Sequence, residues 1–119
     1  MNVSIVHKPN VTSEVLDQIA SELPAIISGV LEIAGGKLAI IKPEQIALAF
    51  SEASSRDVGQ DIRIMVFARI NDQRVRNKTA HAEEVLEKLV ALIAGAGEAY
   101  SINVRVYFTE IGMAQYTVA

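Results

Sequence analysis

The sequence predicts an α/β (α+β) fold in which two tandem β-α-β units form one four-stranded mixed sheet with two helices on one face. Three observations carry this expectation. Two stretches repeat apolar residues at the i, i+3, i+4, i+7 spacing of a helix face, and each lies between short alternating stretches rich in β-branched residues. Ile46, Leu48, Phe50, Ser51 and Glu52 overlay on Val104, Val106, Phe108, Thr109 and Glu110 at a constant offset, so one supersecondary unit is duplicated, with halves at about residues 1–58 and 59–119. Finally, 119 residues that are 50% apolar can bury one core without disulfide or metal staples, which makes residues 1–119 a single domain.

The elements follow in order. Val3 to Lys8 alternates, is β-branched, and is closed by the turn signal Pro9-Asn10, giving the first strand. From Thr12, a good N-cap, Leu16, Ile19, Ala20, Leu23, Ile26, Ile27, Val30, Leu31 and Ala34 mark a helix face that Gly35-Gly36 should end. Pro24 lies inside this helix, and because proline removes a donor and crowds the preceding turn, a kink is expected near residues 20–24. Ile46, Leu48 and Phe50 alternate with Ala47, Ala49 and Ser51, which predicts a strand over 45–52. After a polar stretch, Ile62, Ile64, Val66 and Ala68 form one face of a third strand, and Arg63, Met65, Phe67 and Arg69 the other. A basic turn over 71–78 leads to a second helix carrying Ala82, Val85, Leu86, Leu89, Val90 and Ile93 before Gly95 and Gly97. Ile102 to Phe108 is strongly β-prone, and residues 112–119 could add a short extra strand. With both helices on one face, Met65 and Phe67 are left on the other, an apolar surface that implies oligomerisation.

Composition excludes several classes of function. With no Cys there is no disulfide, thiolate nucleophile or Cys-bearing zinc site, and two isolated histidines do not make a metal centre; no metal or cofactor is expected. A net charge of −3 with no Lys/Arg-rich run argues against nucleic acid. The N-terminus lacks the basic flank and apolar block of a signal peptide, and apolar stretches are interrupted before the ~20 residues a membrane span needs. A cytoplasmic protein with no membrane partner is expected.

The most specific local features are Gly36-Lys37 after the first helix, Pro43-Glu44-Gln45-Ile46 opening strand two, and Val106-Tyr107-Phe108-Thr109-Glu110 in strand four. Together with the internal repeat they resemble the tautomerase superfamily, which includes macrophage migration inhibitory factor, carboxymethyl-hydroxymuconate isomerase and cis-3-chloroacrylic acid dehalogenase. Leu38 to Lys42 stands as an insertion in that comparison. The resemblance implies a homotrimer acting on a small enol, keto acid or unsaturated carboxylic acid. Its catalyst would be the amine of an N-terminal proline, exposed by removal of the initiator methionine. Here residue 2 is Asn, a side chain that disfavours that removal, so the resemblance leaves the primary amine of Met1, one residue further out, where the proline would be.

The same resemblance selects the remaining candidates. Arg74 and Arg76 precede the second helix, where dehalogenase-like members bind a substrate carboxylate; a guanidinium fork suits a carboxylate, and the alternative is a pair of solvated loop charges. Tyr107 matches a strand-four tyrosine whose hydroxyl can polarise a carbonyl or water, or it packs at a subunit interface. Lys37 matches a lysine found after the first helix, a place the helix dipole also favours. Arg69 is a third carboxylate candidate or an intersubunit ion-pair partner. Glu52 and Glu110 are repeat-related carboxylates that invite an acid/base pairing, His7 faces the core or the site, and His81 is expected to be exposed in the second helix's first turn. Three readings follow: an isomerase or tautomerase of weak or altered activity, a non-catalytic trimeric binding or structural member of the same fold, and a ferredoxin-like small-molecule-binding domain. The last joins strands two and three by a tight hairpin, which the long link Ser51 to Gln60 disfavours.

Overall fold

The computed structural model describes residues 1–32, 42–70, 75–95 and 99–118. Strand β1 (Asn2–His7) leads to helix α1 (Ser13–Leu31), a 3-10 turn (Pro43–Gln45) and β2 (Ala47–Glu52); then β3 (Ile62–Arg69), α2 (Lys78–Ala94) and β4 (Ile102–Thr109) follow. The strands lie in the order β2-β1-β3-β4. Each β-α-β unit pairs its own strands in parallel, and the two units meet antiparallel at β1 and β3. The expected mixed sheet with two helices is therefore present. Because β1 separates β2 from β3, the hairpin of the ferredoxin-like alternative is absent.

Alternation decides which face of the sheet is covered. Val3 and Ile5 of β1 and Ile62, Ile64, Val66 and Ala68 of β3 are buried against the helices. From α1 they meet Val15, Ile19, Leu23 and Ile27, a strict i+4 stripe, and from α2 they meet Val85, Leu89 and Ile93 at the same spacing. Each such side chain contributes roughly 1.5–3 kcal/mol of burial. The opposite face, presented by Asn2, Met65, Phe67, Arg105 and Tyr107 among others, has no helix or strand over it among the described residues, as the sequence led us to expect.

Local chemistry sets the ends of these elements. Thr12 caps α1, its Oγ1 accepting from the Val15 N–H at 3.3 Å. Its own N–H donates to the Tyr100 hydroxyl at 3.2 Å, which in turn donates to the Asn10 carbonyl at 3.2 Å, so the segment before β4 pins the start of α1. Pro24 does not break α1, which continues to Leu31 and closes with the Glu32 N–H on the Ser28 carbonyl. Gly35, Gly36, Lys37 and Leu38 to Ile41 lie outside the described residues, as does Gly97.

Strand β2 starts two residues later than expected because Pro43 opens a 3-10 turn. The Gln45 side chain accepts from the Lys42 N–H at 3.0 Å and holds that turn. The expected extra strand is also not formed: residues 110–118 carry no regular secondary structure. A strand needs a neighbour to satisfy its backbone groups, and the tail follows edge strand β4 with local contacts such as the Gln115–Thr117 side-chain bond at 3.2 Å. No helix among the described residues is long and apolar enough to cross a membrane.

Candidate functional site

The pairing register places Asn2 of β1, Phe67 of β3 and Tyr107 of β4 in one row across the uncovered face. The rings of Phe67 and Tyr107 stack, with centroids 5.1 Å apart and planes 11° from parallel. Both remain more than a third exposed, at 37% and 39%, so this is a surface platform and not a core contact. Beside it, where the first turn of α2 passes edge strand β4, a concavity of about 350 Å³ is lined by Lys78, Thr79, Ala82, Val104, Arg105, Val106 and Tyr107. Two cations and a phenol thus border one apolar-floored hollow. Arg105 Nε donates to Asn103 Oδ1 at 3.2 Å, which fixes the plane of the guanidinium. Such a set can hold a carboxylate and offer a hydroxyl to a neighbouring oxygen.

The start of the chain is tied down at the same end of the sheet. The Met1 carbonyl accepts from the Ala47 N–H at 3.0 Å, and Met1 is half-buried against the core. Met1 and Tyr107 are nevertheless not brought together in one chain. They stand two strands apart, roughly 10 Å at normal strand spacing, with Phe67 between.

The other candidates are placed as follows. Arg76 is exposed just before α2 and is not among the side chains that line the hollow, while Arg74 and Lys37 lie outside the described residues. Arg69 is exposed beside Thr109, at the Tyr107 end of the uncovered face. Glu52 ends β2 and Glu110 follows β4, the two edge strands, which run in opposite directions, so within one chain they do not form an acid/base pair. His7 pairs with Ile62 on the helix-facing side at the far end of β1 from Met1, with its Nδ1 3.2 Å from the Lys8 carbonyl. His81 sits in the first turn of α2 but is half-buried, not exposed. No group of three His, Cys, Asp or Glu among the described residues could hold a metal ion.

Two site residues escaped sequence reasoning, although each left a signal. Arg105 shares Tyr107's face by simple alternation. Lys78 is a cation in a helix's first turn, where the dipole disfavours positive charge and no acid accompanies it. A larger hollow of about 510 Å³ between α1 and α2 is lined by Glu14, Asp17, Gln18, Ser21, Glu22 and Leu92, and its acids would repel a carboxylate.

No family model matches the chain, and no curated protein matches it in sequence. Solved structures match it in three dimensions. It is similar to FG41 malonate semialdehyde decarboxylase inhibited by 3-bromopropiolate, at 13% identity and a TM-score of 0.66, over 92% of this chain and 84% of that one. A fused 4-OT wild-type asymmetric trimer matches at 13% identity and a TM-score of 0.65, over 98% and 95% of the two chains. A member of the cis-3-chloroacrylic acid dehalogenase family matches at 14% identity and a TM-score of 0.65, over 98% and 80%. Identities this low establish a common fold and leave the reaction to be argued from the site.

Proposed function

Because the chain has the tautomerase fold, we propose that it is a tautomerase-superfamily protein without the N-terminal proline, cytoplasmic and acting as one domain, that binds small enol, keto or unsaturated carboxylic acids and turns them over weakly or in an altered way. The observation that carries this reading is the hollow beside Tyr107, where Lys78, Arg105 and a phenol meet on that fold. Lys78 and Arg105 hold the substrate carboxylate, with Arg74 and Arg76 assigned to the same task from the segment that leads into α2. Tyr107 hydrogen-bonds the enol oxygen, which carries enolate charge after its proton has left and until the neighbouring carbon is protonated to give the ketone.

The proton-transfer group belongs at the start of β1, and Met1 supplies it only as a primary amine. Since Met1 and Tyr107 of one chain are two strands apart, and Tyr107 lies on an edge strand, a complete site takes β1 from one copy and β4 from another. We therefore assign a homotrimer, the assembly carried by the fused 4-OT that shares the fold. Tyr107's exposure and the uncovered face support that assignment.

The test is direct. Ketonisation of enolic phenylpyruvate is expected to exceed background only slightly, and phenylpyruvate is expected to bind. Lys78→Ala and Arg105→Ala should each weaken binding by about tenfold or more, the worth of a charge-assisted hydrogen bond, with a smaller loss for Arg76→Ala. Unchanged affinity in all three would remove the carboxylate site. Binding with no turnover at all would favour the non-catalytic member of the same fold, the reading that Asn2 supports.

A further inference from the structure

The duplicated unit places the start of its first strand twice on the uncovered face, at opposite ends, because β1 and β3 run antiparallel. One end begins with Met1 and Asn2. At the other, Arg63 is the second residue of β3, opposite Val6 on one side and Asn103 on the other. Arg63 is half-buried, and its Nε is sealed from solvent with no acceptor among the described residues. The link between β2 and β3 holds it there. Asp57 accepts from the Ser54 N–H at 2.9 Å and the Ser54 hydroxyl at 3.1 Å, and this turn carries Gly59 over the arginine. Gly59 has φ +150°, and a Cβ on it would meet Arg63 Cδ at 3.2 Å and Nε at 3.4 Å, so glycine keeps the room that the guanidinium occupies.

Among the described residues, this partly desolvated cation makes no ion pair with a carboxylate. The strand positions of the uncovered face carry Arg63, Arg69 and Arg105 and no Asp or Glu. The two acids of the link that leads into β3 have other partners, Asp57 in Ser54 and Asp61 in Ser101 and Lys8. Arg105 leans towards the same place through its bond to Asn103, directly opposite Arg63. In a chain of net charge −3, this face carries three cations, of which Arg63 is the one partly withdrawn from solvent.

We propose that Arg63, with Asn103 beside it and the Gly59 turn behind it, forms a second anion-binding site at the end of the sheet opposite Met1, taking a small oxyanion, either a carboxylate or a phosphate. The guanidinium charge is shared over three nitrogens, so an oxyanion on the outer two compensates the sealed Nε as well. The site does not depend on the activity proposed above, since neither Met1 nor Tyr107 belongs to it.

The natural protein is titrated with succinate and, separately, with inorganic phosphate, while NMR follows the amides of Gly59, Arg63 and Asn103, the Arg63 Nε–H, and the amides of Asn2 and Phe67. Saturable shifts at Gly59, Arg63 and Asn103 are expected, with the Arg63 Nε–H moving, and the tighter of the two anions identifies the class. Arg63→Gln should weaken that binding by about tenfold or more, and Arg63→Lys, which keeps charge but loses the fork, by less. Shifts confined to Asn2 and Phe67, no saturable shift, or equal affinity in Arg63→Gln would overturn the proposal. So would an Arg63→Gln protein that falls apart into monomers, which would make Arg63 a partner for a carboxylate of a second copy. If Arg63→Gln does not fold, the response of the natural protein's Arg63 Nε–H decides.

Discussion

Asp61 shows how single side chains stitch the two halves of the sheet. It accepts from the Ser101 N–H at 2.9 Å and the Ser101 hydroxyl at 3.1 Å, and lies 3.9 Å from the Lys8 ammonium. The Ser101 backbone bond is the largest influence and, helped by the Ser101 hydroxyl, Lys8 and Asn10, holds the Asp61 carboxyl below the usual carboxylate range against desolvation, the second largest. A carboxylate depressed in the folded state contributes stability above its unfolded pKa and loses it as pH falls through the folded value. Asp61→Asn should therefore lower the urea midpoint at neutral pH and flatten its decline in acid; an unchanged acid limb would assign that decline to other groups. Tyr100→Phe, which deletes the hydroxyl joining Thr12 and Asn10, should cost about 1 kcal/mol by urea titration, and no loss would mean that those bonds are replaced by water. At this scale the sequence was partly legible. Tyr107's face follows from alternation, but Lys78 meets it only because α2 starts where it does, and the separation of Glu52 from Glu110 depends on a strand order that no local pattern carries.

Among the elements, helix α1 was legible because burial imposes its period: Ile19, Leu23 and Ile27 repeat every fourth residue and are fully buried, although the expected face named Leu16 and Ala20, which are half-buried and exposed, and missed the buried Val15. Its interior also holds Gly29, at which an added Cβ would meet nothing within 4 Å. Gly29→Ala should therefore raise stability by roughly 0.5–1 kcal/mol, measured by urea unfolding, since it removes unfolded-state freedom without a clash. A loss of stability would show that the position needs glycine for another reason. Leu23→Ala should cost about 2–5 kcal/mol through the cavity it leaves. What the periodicity could not show was where pairing stops. Residues 112–118 include the β-formers Tyr116, Thr117 and Val118, yet no strand forms there, because strand formation requires an edge to join and β-propensity alone does not supply one.

At the scale of the whole molecule, the two-unit topology was legible from the repeat, while the division of the site was not. Met1 and Tyr107 lie at one end of the sheet with β3 between their strands, so the proposed chemistry at Tyr107 would draw on another copy's first strand. Phe67→Asp, placing a charge at the centre of that face, should turn a trimer into monomers in analytical ultracentrifugation. A natural protein that is monomeric at micromolar concentration would contradict the shared-site account before any variant is made. The central claim is that this chain keeps a tautomerase-type pocket and lacks one group at residue 2. The most direct measurement is ketonisation of enolic phenylpyruvate by Asn2→Pro, after mass spectrometry shows that Met1 has been removed. The account expects activity well above the natural protein, because a proline amine would then begin β1 in reach of the cations and the phenol of a neighbouring copy. A trimmed, folded Asn2→Pro protein as inactive as its parent would contradict it.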